Sequence, residues 1–433
     1  MSRSTASSSS LIRAWREAVQ ETALQCCGGT GLAAALTVAG CDEYFTWGTE
    51  KQGGPPIDTQ TVFQWGSITK SLTATVVVLL ADEMGFDLDE PIRSVIEPVV
   101  PFPRVVDLGT VRQLLTHTAG WTFPMPLRLS SGATMLSPGT RPPFRFAAPG
   151  YLWGYNNWGY VLLGQLVESL TGRGYVDVVR ERLLGRLSML GATFGDVSHS
   201  TTGHISERDW TNAVNPWSMP GVMRPAGGLA GNIRDLMKYG KLHLDGEECP
   251  FTAQRNVIRR CHVPYPERFG NPCFRAGAGW FIKYGDHGEE VLLHEGAGIG
   301  HRSLIMLVPG KRVGMYLLAN SDSPEPLRLG EWTLELCGVR IKGTEQPSLP
   351  AVSYEGMYAT GRGLLNVRAE ENHLVVWAVE SSKVVNLEPS GGDMFRVCNG
   401  PYQGARAEFI RAGSGEVKWF RLGGRLAVAE QPK

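Results

Sequence analysis

The stretch F-Q-W-G-S-I-T-K-S-L-T-A-T-V-V-V-L-L-A-D occupies residues 63–82, and the rest of the chain is organised around it. Its apolar half predicts a buried helix that begins near Ser67. Ser67 and Lys70 are three residues apart, so one helical face presents both side chains together. The stretch therefore predicts a hydroxyl nucleophile beside an amine base.

This pair is chemically useful only if its surroundings change it. A serine hydroxyl is a weak nucleophile at neutral pH, and a charged lysine is not a base. Burial lowers a lysine pKa, so a neutral Lys70 would take the proton of Ser67. The S-x-x-K pattern alone is weak, because solvated helix turns also carry it by chance. Partner residues elsewhere in the chain must decide between a catalytic pair and a chance pattern on a solvated helix turn.

Length and composition limit the function. The chain has 433 residues, which exceeds the size of a single core and predicts two domains. Lys plus Arg and Asp plus Glu both total 42, so no net charge favours nucleic acid or an anionic membrane. The eight cysteines lack metal-ligand spacing and are interpreted as free thiols. We expect no metal, no cofactor and no nucleic-acid partner.

The amino-terminal residues lack an apolar signal core, and the longest apolar run, residues 76–81, is too short to span a bilayer. This predicts a cytoplasmic protein without a membrane span. An organelle transit peptide is the alternative, although the acidic Glu17 and Glu21 argue against it. Apolar residues from Leu11 to Val19 recur at helical spacing and predict an amphipathic helix.

Two β-rich runs, from Gly31 and from Glu43, predict two strands of an antiparallel sheet. Residues 111–121 predict a short helix. His117 in this segment could act as a base, but a histidine at a helix end more often satisfies backbone groups, so we assign it a structural role.

Loops rich in Pro, Phe, Met and Leu follow at residues 122–129 and 138–150, and residues 210–231 again mix bulky Trp and Met side chains with loop formers. They predict either a cover over an apolar pocket or irregular connections that cover the core. The candidate substrate-binding residues among the tryptophans are Trp121, Trp153 and Trp217.

Two further segments carry polar groups beside regular structure. Tyr155 and Asn157 lie in a predicted turn before an apolar helix, where a tyrosine can relay a proton and an asparagine can bind a carbonyl group. A later strand runs into His294 and a glycine-rich turn, where Gly296 would let the backbone approach a substrate. From residue 352 onward, alternating runs predict a small β-barrel or sandwich.

Together these residues resemble the serine β-lactamase and penicillin-binding-protein superfamily, in its class C and esterase branch. The resemblance is carried, in family order, by S-x-x-K at Ser67, Y-x-N at Tyr155 and H-x-G at His294, and it covers about residues 25–340. It implies an α/β (α+β), β-lactamase/transpeptidase-like fold with an antiparallel sheet flanked by helices beside an all-helical region. We expect a tail and helix at 1–24, a catalytic domain at 25–343 and a lipocalin-like β domain at 350–433.

The resemblance also implies roles. Ser67 is the expected nucleophile and Lys70 its activator, while Tyr155 shares proton transfer and Asn157 orients Lys70 or the acyl group. The backbone N–H groups of Ser67 and Ala297 are the expected oxyanion hole.

One departure from the family pattern shifts the expected substrate. His294 stands where β-lactamases usually have a lysine, and Glu295 follows it. A neutral imidazole beside a carboxylate binds an anion poorly, so we do not expect efficient β-lactam hydrolysis.

The leading hypothesis is a serine hydrolase or acyltransferase acting on an ester, thioester or amide with a bulky apolar acyl group, small-molecule or peptide, free or carrier-bound. The alternatives are a thioesterase that cyclises peptides, a D-amino-acid peptidase, and a non-catalytic binding, sensor or filament protein.

Overall fold

The computed structural model describes residues 8–26, 30–38, 40–96, 108–121, 145–195, 197, 199–205, 213–214, 219, 221–244, 250–266, 274–323, 325–341, 354–360, 363–371, 373–379, 384–400 and 403–430. These residues belong to two compact units. The first contains those within Met1–Leu88, Leu163–Pro264 and Phe274–Lys342, and the second contains those within Asp89–Leu162, Tyr265–Cys273 and Gly343–Lys433.

The helices in the described part of the chain are α1 Ser8–Cys26, α2 Thr69–Met84, α3 Ile92–Ile96, α4 Val111–Leu115, α5 Asn157–Thr171, α6 Tyr175–Val179, α7 Arg224–Gly227, α8 Ile233–Lys241, α9 Arg255–Ile258 and α10 Glu325–Leu336. None of these helices has both the length and the apolar character needed to cross a membrane.

The strands before the carboxyl-terminal region are β1 Leu32–Val38, β2 Cys41–Trp47, β3 Phe63–Gln64, β4 Thr193–Phe194, β5 Gly203–His204, β6 Ala213–Val214, β7 Leu229–Gly231, β8 Arg275–Gly277, β9 Trp280–Tyr284, β10 Glu290–Gly298, β11 His301–Val308 and β12 Val313–Ala319.

Seven antiparallel strands form the main sheet of the first unit, in the order β2-β1-β12-β11-β10-β9-β8. Every residue of β1 is buried, as expected for a strand covered on both faces. On one face, Trp15 and Val19 of α1 join the sheet core together with Leu334 of α10. On the other face, Gly240 of α8 lies against Tyr316 of β12. The predicted antiparallel sheet flanked by helices is confirmed.

Helix α2 lies within the first unit and is buried around almost its whole circumference. Its residues from Thr69 to Val78 are all buried, which explains why it shows no strong one-sided pattern. The residues just before it, Gly66–Ile68, form a 3₁₀ turn. Ser67 therefore lies at the amino-terminal start of a buried helix, close to where the sequence placed it.

The helix predicted over residues 111–121 is shorter than expected. Thr110 and Gln113 form a capping box that begins α4, but α4 ends at Leu115. His117 then adopts a φ of 60°, a left-handed conformation that cannot continue a helix. The remainder of the segment is a turn.

Eight antiparallel strands at the carboxyl terminus close into a barrel in the second unit. This result selects the barrel from the two predicted alternatives. Its interior is filled by a cluster of buried side chains that includes Tyr354, Phe395, Phe409 and Phe420. The strands are β13 Gly356–Thr360, β14 Gly363–Glu370, β15 His373–Ala378, β16 Val384–Gly391, β17 Met394–Val397, β18 Arg406–Arg411, β19 Val417–Leu422 and β20 Arg425–Ala429.

Candidate active site

The centre of the first unit's candidate site is the pair formed by Ser67 and Lys70. Lys70 Nζ lies 3.0 Å from Ser67 Oγ and also donates a hydrogen bond to the carbonyl oxygen of Ala226. Ser67 is half-buried, whereas Lys70 is 0% exposed. Ser67 is therefore partly exposed, while the amine of Lys70 is enclosed in the interior.

Burial controls the charge of Lys70. The pKa of Lys70 falls well below the ordinary value of 10.5, because the charged ammonium loses its hydration in the interior. The neutral amine carries a lone pair, which can accept the Ser67 proton. The interior thus provides the condition that the S-x-x-K pattern alone left open.

The turn that carries Ser67 lies directly against strand β10. A Cβ atom built on Gly296 would lie 2.0 Å from the carbonyl oxygen of Trp65 and 2.1 Å from Ser303 Oγ, so only glycine fits there. Ser303 Oγ donates a hydrogen bond of 2.8 Å to the same Trp65 oxygen. In this structure Gly296 is the point at which the backbone before Ser67 approaches the strand.

Ala297 follows Gly296 on the exposed part of β10. A Cβ atom built on Gly66 would lie 3.1 Å from the Ala297 nitrogen, so the backbones next to Ser67 and at Ala297 are neighbours. Strand β9 pairs with β10 only as far as Leu293. Beyond that residue, β11 is the one strand paired with β10 among the described residues, so β10 has no second strand neighbour on the Ala297 segment.

His294 is a buried, neutral imidazole on β10. Its Nδ1 lies 2.8 Å from the carbonyl oxygen of Glu295, so Nδ1 carries the proton and donates it. Burial first, and then the charge of Lys70, lower the pKa of His294 to about 3. Within the described part of the chain, His294 Nε2 has no hydrogen-bond partner. It therefore presents a lone pair and no positive charge.

The second unit carries Tyr155 on a loop before α5. Tyr155 is half-buried, and its backbone N–H donates a 2.8 Å hydrogen bond to the carbonyl oxygen of Gly424 in the barrel. Asn157 was predicted to lie in the turn before the helix, but it is the first residue of α5. Among the residues that the structure describes, Asn157 Oδ1 is buried without a hydrogen-bond partner.

His117 packs against the Tyr155 loop, a contact that the sequence did not indicate. The two rings lie 4.5 Å apart between centroids. The backbone N–H of Asn156 donates to His117 Nδ1, and that of Gly154 donates to the His117 carbonyl oxygen. His117 thus supports the loop that carries Tyr155, which is a structural role. In the sequence, the T-H-T-A-G turn at residues 116–120 was the one feature that could have indicated this contact.

The structure describes two of the three predicted substrate-binding tryptophans, and each of these two is buried against another side chain. Trp121 is buried and stacks on Trp158, and Trp153 is buried beneath the guanidinium of Arg421, 5.2 Å from the ring centre. Trp217 lies outside the described residues. Contact of these side chains with substrate stays a prediction. In the described part of the chain, no cluster of His, Cys, Asp or Glu side chains is arranged to hold a metal ion.

Comparison with known proteins gives consistent matches. The sequence profile described as Beta-lactamase matches residues 20–340. Penicillin-binding protein 4 of Amycolatopsis lactamdurans is 27% identical over 338 residues, which cover 72% of this chain and 87% of that protein.

Two solved structures show the similarity of fold. A class C beta-lactamase has a TM-score of 0.67 at 18% identity, and the match covers 80% of this chain and 100% of that one. The structure of SurE with D-Leu has a TM-score of 0.75 at 23% identity, covering 98% of this chain and 100% of that one. The match to SurE therefore extends through the carboxyl-terminal barrel.

Proposed function

Because the chain belongs to the Beta-lactamase family, which supports a serine hydrolase or acyltransferase, we propose that it works through an acyl-enzyme on Ser67. The proposed substrate is an ester, thioester or amide with a bulky apolar acyl group. The observation that carries this proposal is the 3.0 Å contact between Ser67 Oγ and a fully buried Lys70 whose pKa is lowered.

In the proposed first step, neutral Lys70 accepts the Ser67 hydroxyl proton while Oγ attacks the substrate carbonyl carbon. The carbonyl electron pair moves onto its oxygen, which accepts hydrogen bonds from the backbone N–H groups of Ser67 and Ala297. When the tetrahedral intermediate collapses, the bond to the leaving group breaks and the leaving group takes up a proton. Water or another nucleophile then attacks the ester on Ser67 and restores the hydroxyl.

We assign the delivery of the leaving-group proton to Tyr155, and the proton that Lys70 took from Ser67 then restores the phenol, since a phenol can both donate and accept a proton. Asn157 is assigned the orientation of Lys70 or of the acyl group.

His294 supports a substrate that lacks a carboxylate at this position. A neutral imidazole with a free Nε2 lone pair offers no positive charge to an anion, and burial keeps it neutral above a pH of about 3. We therefore place β-lactams with a free carboxylate among the poor substrates.

The likeness to SurE favours a second candidate, in which the acyl group is peptidyl. That protein has been solved with D-Leu, a D-amino acid with a branched apolar side chain, and its fold matches almost the whole of this chain. We propose on this basis that D-configured apolar residues are suitable at the reacting end of the substrate. The corresponding activities are a thioesterase that hydrolyses or cyclises a peptide, and a D-amino-acid peptidase.

Covalent labelling tests the proposed nucleophile. A fluorophosphonate should add to Ser67 of the parent protein, as detected by intact mass and peptide mapping. Ser67→Ala should take no label, whereas Ser71→Ala should still be labelled, because Ser71 is a fully buried residue whose Oγ donates to the carbonyl oxygen of Ile68 within the helix. If the parent carries no adduct on Ser67, the enzyme hypothesis is wrong and the non-catalytic binding, sensor or filament hypothesis takes its place.

A substrate panel separates the candidate activities. Para-nitrophenyl esters of increasing acyl length test the apolar acyl group, and better turnover of short polar esters would contradict it. Peptidyl thioesters ending in D-Leu or L-Leu test the second candidate. A cyclic product establishes a cyclase, a linear product establishes hydrolysis, and equal rates for both configurations would remove the preference for D-residues.

A further inference from the structure

The Tyr155 loop is held by the carboxyl-terminal barrel, and both belong to the second unit. The Tyr155 N–H group donates to the carbonyl oxygen of Gly424 at 2.8 Å. Gly424 lies in the tight turn between β19 and β20 and has a φ of 78°, which favours glycine. The main chain on which Tyr155 sits is thus fixed by a hairpin about 270 residues further along the chain.

Gly424 also leaves no room for a larger residue. A Cβ atom there would lie 3.0 Å from a ring carbon of Trp153 and 3.2 Å from Tyr155 Cβ. The hairpin turn therefore contacts both the backbone and the first side-chain atom of Tyr155. A shift of this turn would therefore move the backbone and the Cβ atom that position the phenol.

A buried arginine provides the second connection. Arg421 of β19 is 2% exposed, and it donates a 2.9 Å hydrogen bond to the carbonyl oxygen of Trp153. It also donates to Glu408 of β18 at 2.5 Å, so its charge is paired on the outer face of the barrel, whose interior is filled by the neighbouring Phe420 and Phe409. Breaking a contact of a buried charged donor leaves its partners unsatisfied, which costs free energy. The Arg421 contact therefore favours one position of the loop. The loop is therefore held two residues before Tyr155 as well as at Tyr155 itself.

We propose that the β19–β20 hairpin is part of the acyl-transfer apparatus, with Gly424 and Arg421 as positioning residues for Tyr155. The catalytic consequence rests on the proposed function, in which Tyr155 delivers a proton. A proton donor must be held closely to its reacting geometry, and a displacement of about 1 Å costs on the order of 100-fold in rate. The barrel is then required for the chemical step as well as for stability.

Kinetics of Gly424→Ala test this role. The matched control is Gly415→Ala, because Gly415 has a φ of 89° in another turn of the barrel and nothing within 4 Å of its Cβ position. With the best ester from the panel, Gly424→Ala should lower kcat roughly 10- to 100-fold with little change in KM, and Gly415→Ala should change kcat less than about twofold. Equal losses in the two variants would overturn the proposal.

A double-mutant cycle separates positioning from general damage. In a Tyr155→Phe background the phenol is already absent, so adding Gly424→Ala should cause little further loss of kcat. If the two losses multiply, Gly424 does not act through Tyr155 and the proposal is wrong. Arg421→Lys should retain more kcat than Arg421→Met. Arg411→Met, which breaks the Arg411–Asp393 pair elsewhere in the barrel, should leave kcat near the parent value.

Hydrogen exchange tests the positioning without any substrate. The amide of Tyr155 should exchange at least tenfold faster in Gly424→Ala than in the parent, and at the parental rate in Gly415→Ala. Unchanged exchange at Tyr155 would overturn the positioning role. Absence of a Ser67 adduct in the parent would instead overturn the proposed function, so the two failures are distinguishable.

Discussion

The Ser67–Lys70 turn and the Tyr155 loop are held in place by different means. Ser67 and Lys70 lie on consecutive turns of one helical segment, and the interior that surrounds Lys70 also removes its charge. Tyr155 lies on a loop whose backbone is bound by His117 on one side and by a barrel hairpin on the other. The proposed nucleophile and base are thus positioned within one buried helical segment, whereas the tyrosine is positioned by hydrogen bonds from distant parts of the chain.

This difference has a practical consequence. Changes inside the first unit should act on the acylation chemistry through charge and through the approach of backbone to backbone. Changes in the barrel should act through the placement of Tyr155 alone. Variants of the first unit therefore test whether burial sets the positions and charges of Ser67 and Lys70.

Replacing the base should give the largest effect. Lys70→Met keeps most of the buried volume but removes the lone pair, so Ser67 loses its proton acceptor. We expect the rate of Ser67 acylation to fall by about 10³- to 10⁴-fold. The measurement is the second-order rate of fluorophosphonate labelling together with ester turnover.

The control for Lys70→Met is Lys238→Met, which removes a half-exposed lysine on α8. It should leave labelling at the parental rate. If Lys70→Met retained labelling within tenfold of the parent, another group would be the base. Burial of Lys70 would then not explain the reactivity of Ser67.

Closing the space at Gly296 should give the next largest effect. In Gly296→Ala, the added Cβ would force the Trp65 carbonyl away from β10 and would separate the backbones near Ser67 and Ala297. Loss of one oxyanion donor costs about 10²- to 10³-fold in kcat. Steady-state kinetics should show this loss mainly in kcat.

Gly310→Ala provides a matched control, since nothing lies within 4 Å of its Cβ position in the turn between β11 and β12. Its kcat should stay within about twofold of the parent, as is usual for surface positions. An active Gly296→Ala enzyme with parental kcat would show that Ala297 takes no part in stabilising the oxyanion.

The charge state of Lys70 predicts a pH dependence of about tenfold per unit on the acid limb. Burial lowers the Lys70 pKa, so the neutral, basic form dominates at a pH where an ordinary lysine is still charged. Labelling should rise with pH, reach a plateau well below a pH of about 10, and stay flat above it. A rate that keeps rising up to that pH would mean that Lys70 remains charged.

The sequence predicted the first region well because its information is local. The spacing of Ser67 and Lys70 is a property of one helical turn, and the apolar residues that follow specify a buried helix whatever packs around it. The two strands from Gly31 and Glu43 were likewise predictable, since adjacent strands pair across a short turn.

The second region could not be predicted in the same way. Arg421 and Trp153 are 268 positions apart, and no spacing rule connects a barrel strand to a loop before α5. Gly296 was predicted to approach a substrate, but its close contact with Trp65 depends on the packing of two separate segments. Helix α4 ended early because His117 adopts a left-handed conformation, which the local propensities of its neighbours do not specify.

The smallest predicted effect concerns stability in acid, and it again separates the first unit from the barrel. His301 follows the β10 turn in the first unit, and it is buried between the carbonyl oxygens of Ile299 and Thr201. Burial first, and then the neighbouring His204, lower the pKa of His301 to about 4 from its ordinary 6.5. Between these two values the unfolded chain binds a proton that the folded chain does not. The free energy of unfolding should therefore fall as the pH falls through this window, by up to about 1.4 kcal/mol per unit.

His301→Gln removes this titrating group and should make the dependence less steep without abolishing it, because burial also lowers the pKa of His294 and of His243. The substitution also weakens folding at neutral pH by losing hydrogen bonds. The measurement is urea unfolding at about pH 7 and about pH 5, read from the tryptophan fluorescence. His287→Gln, in the exposed turn between β9 and β10, should keep the parental slope. If His301→Gln and the parent lose the same free energy between the two conditions, the acid sensitivity does not arise from this histidine. Burial would then determine the charge of Lys70 without also making the first unit labile in acid.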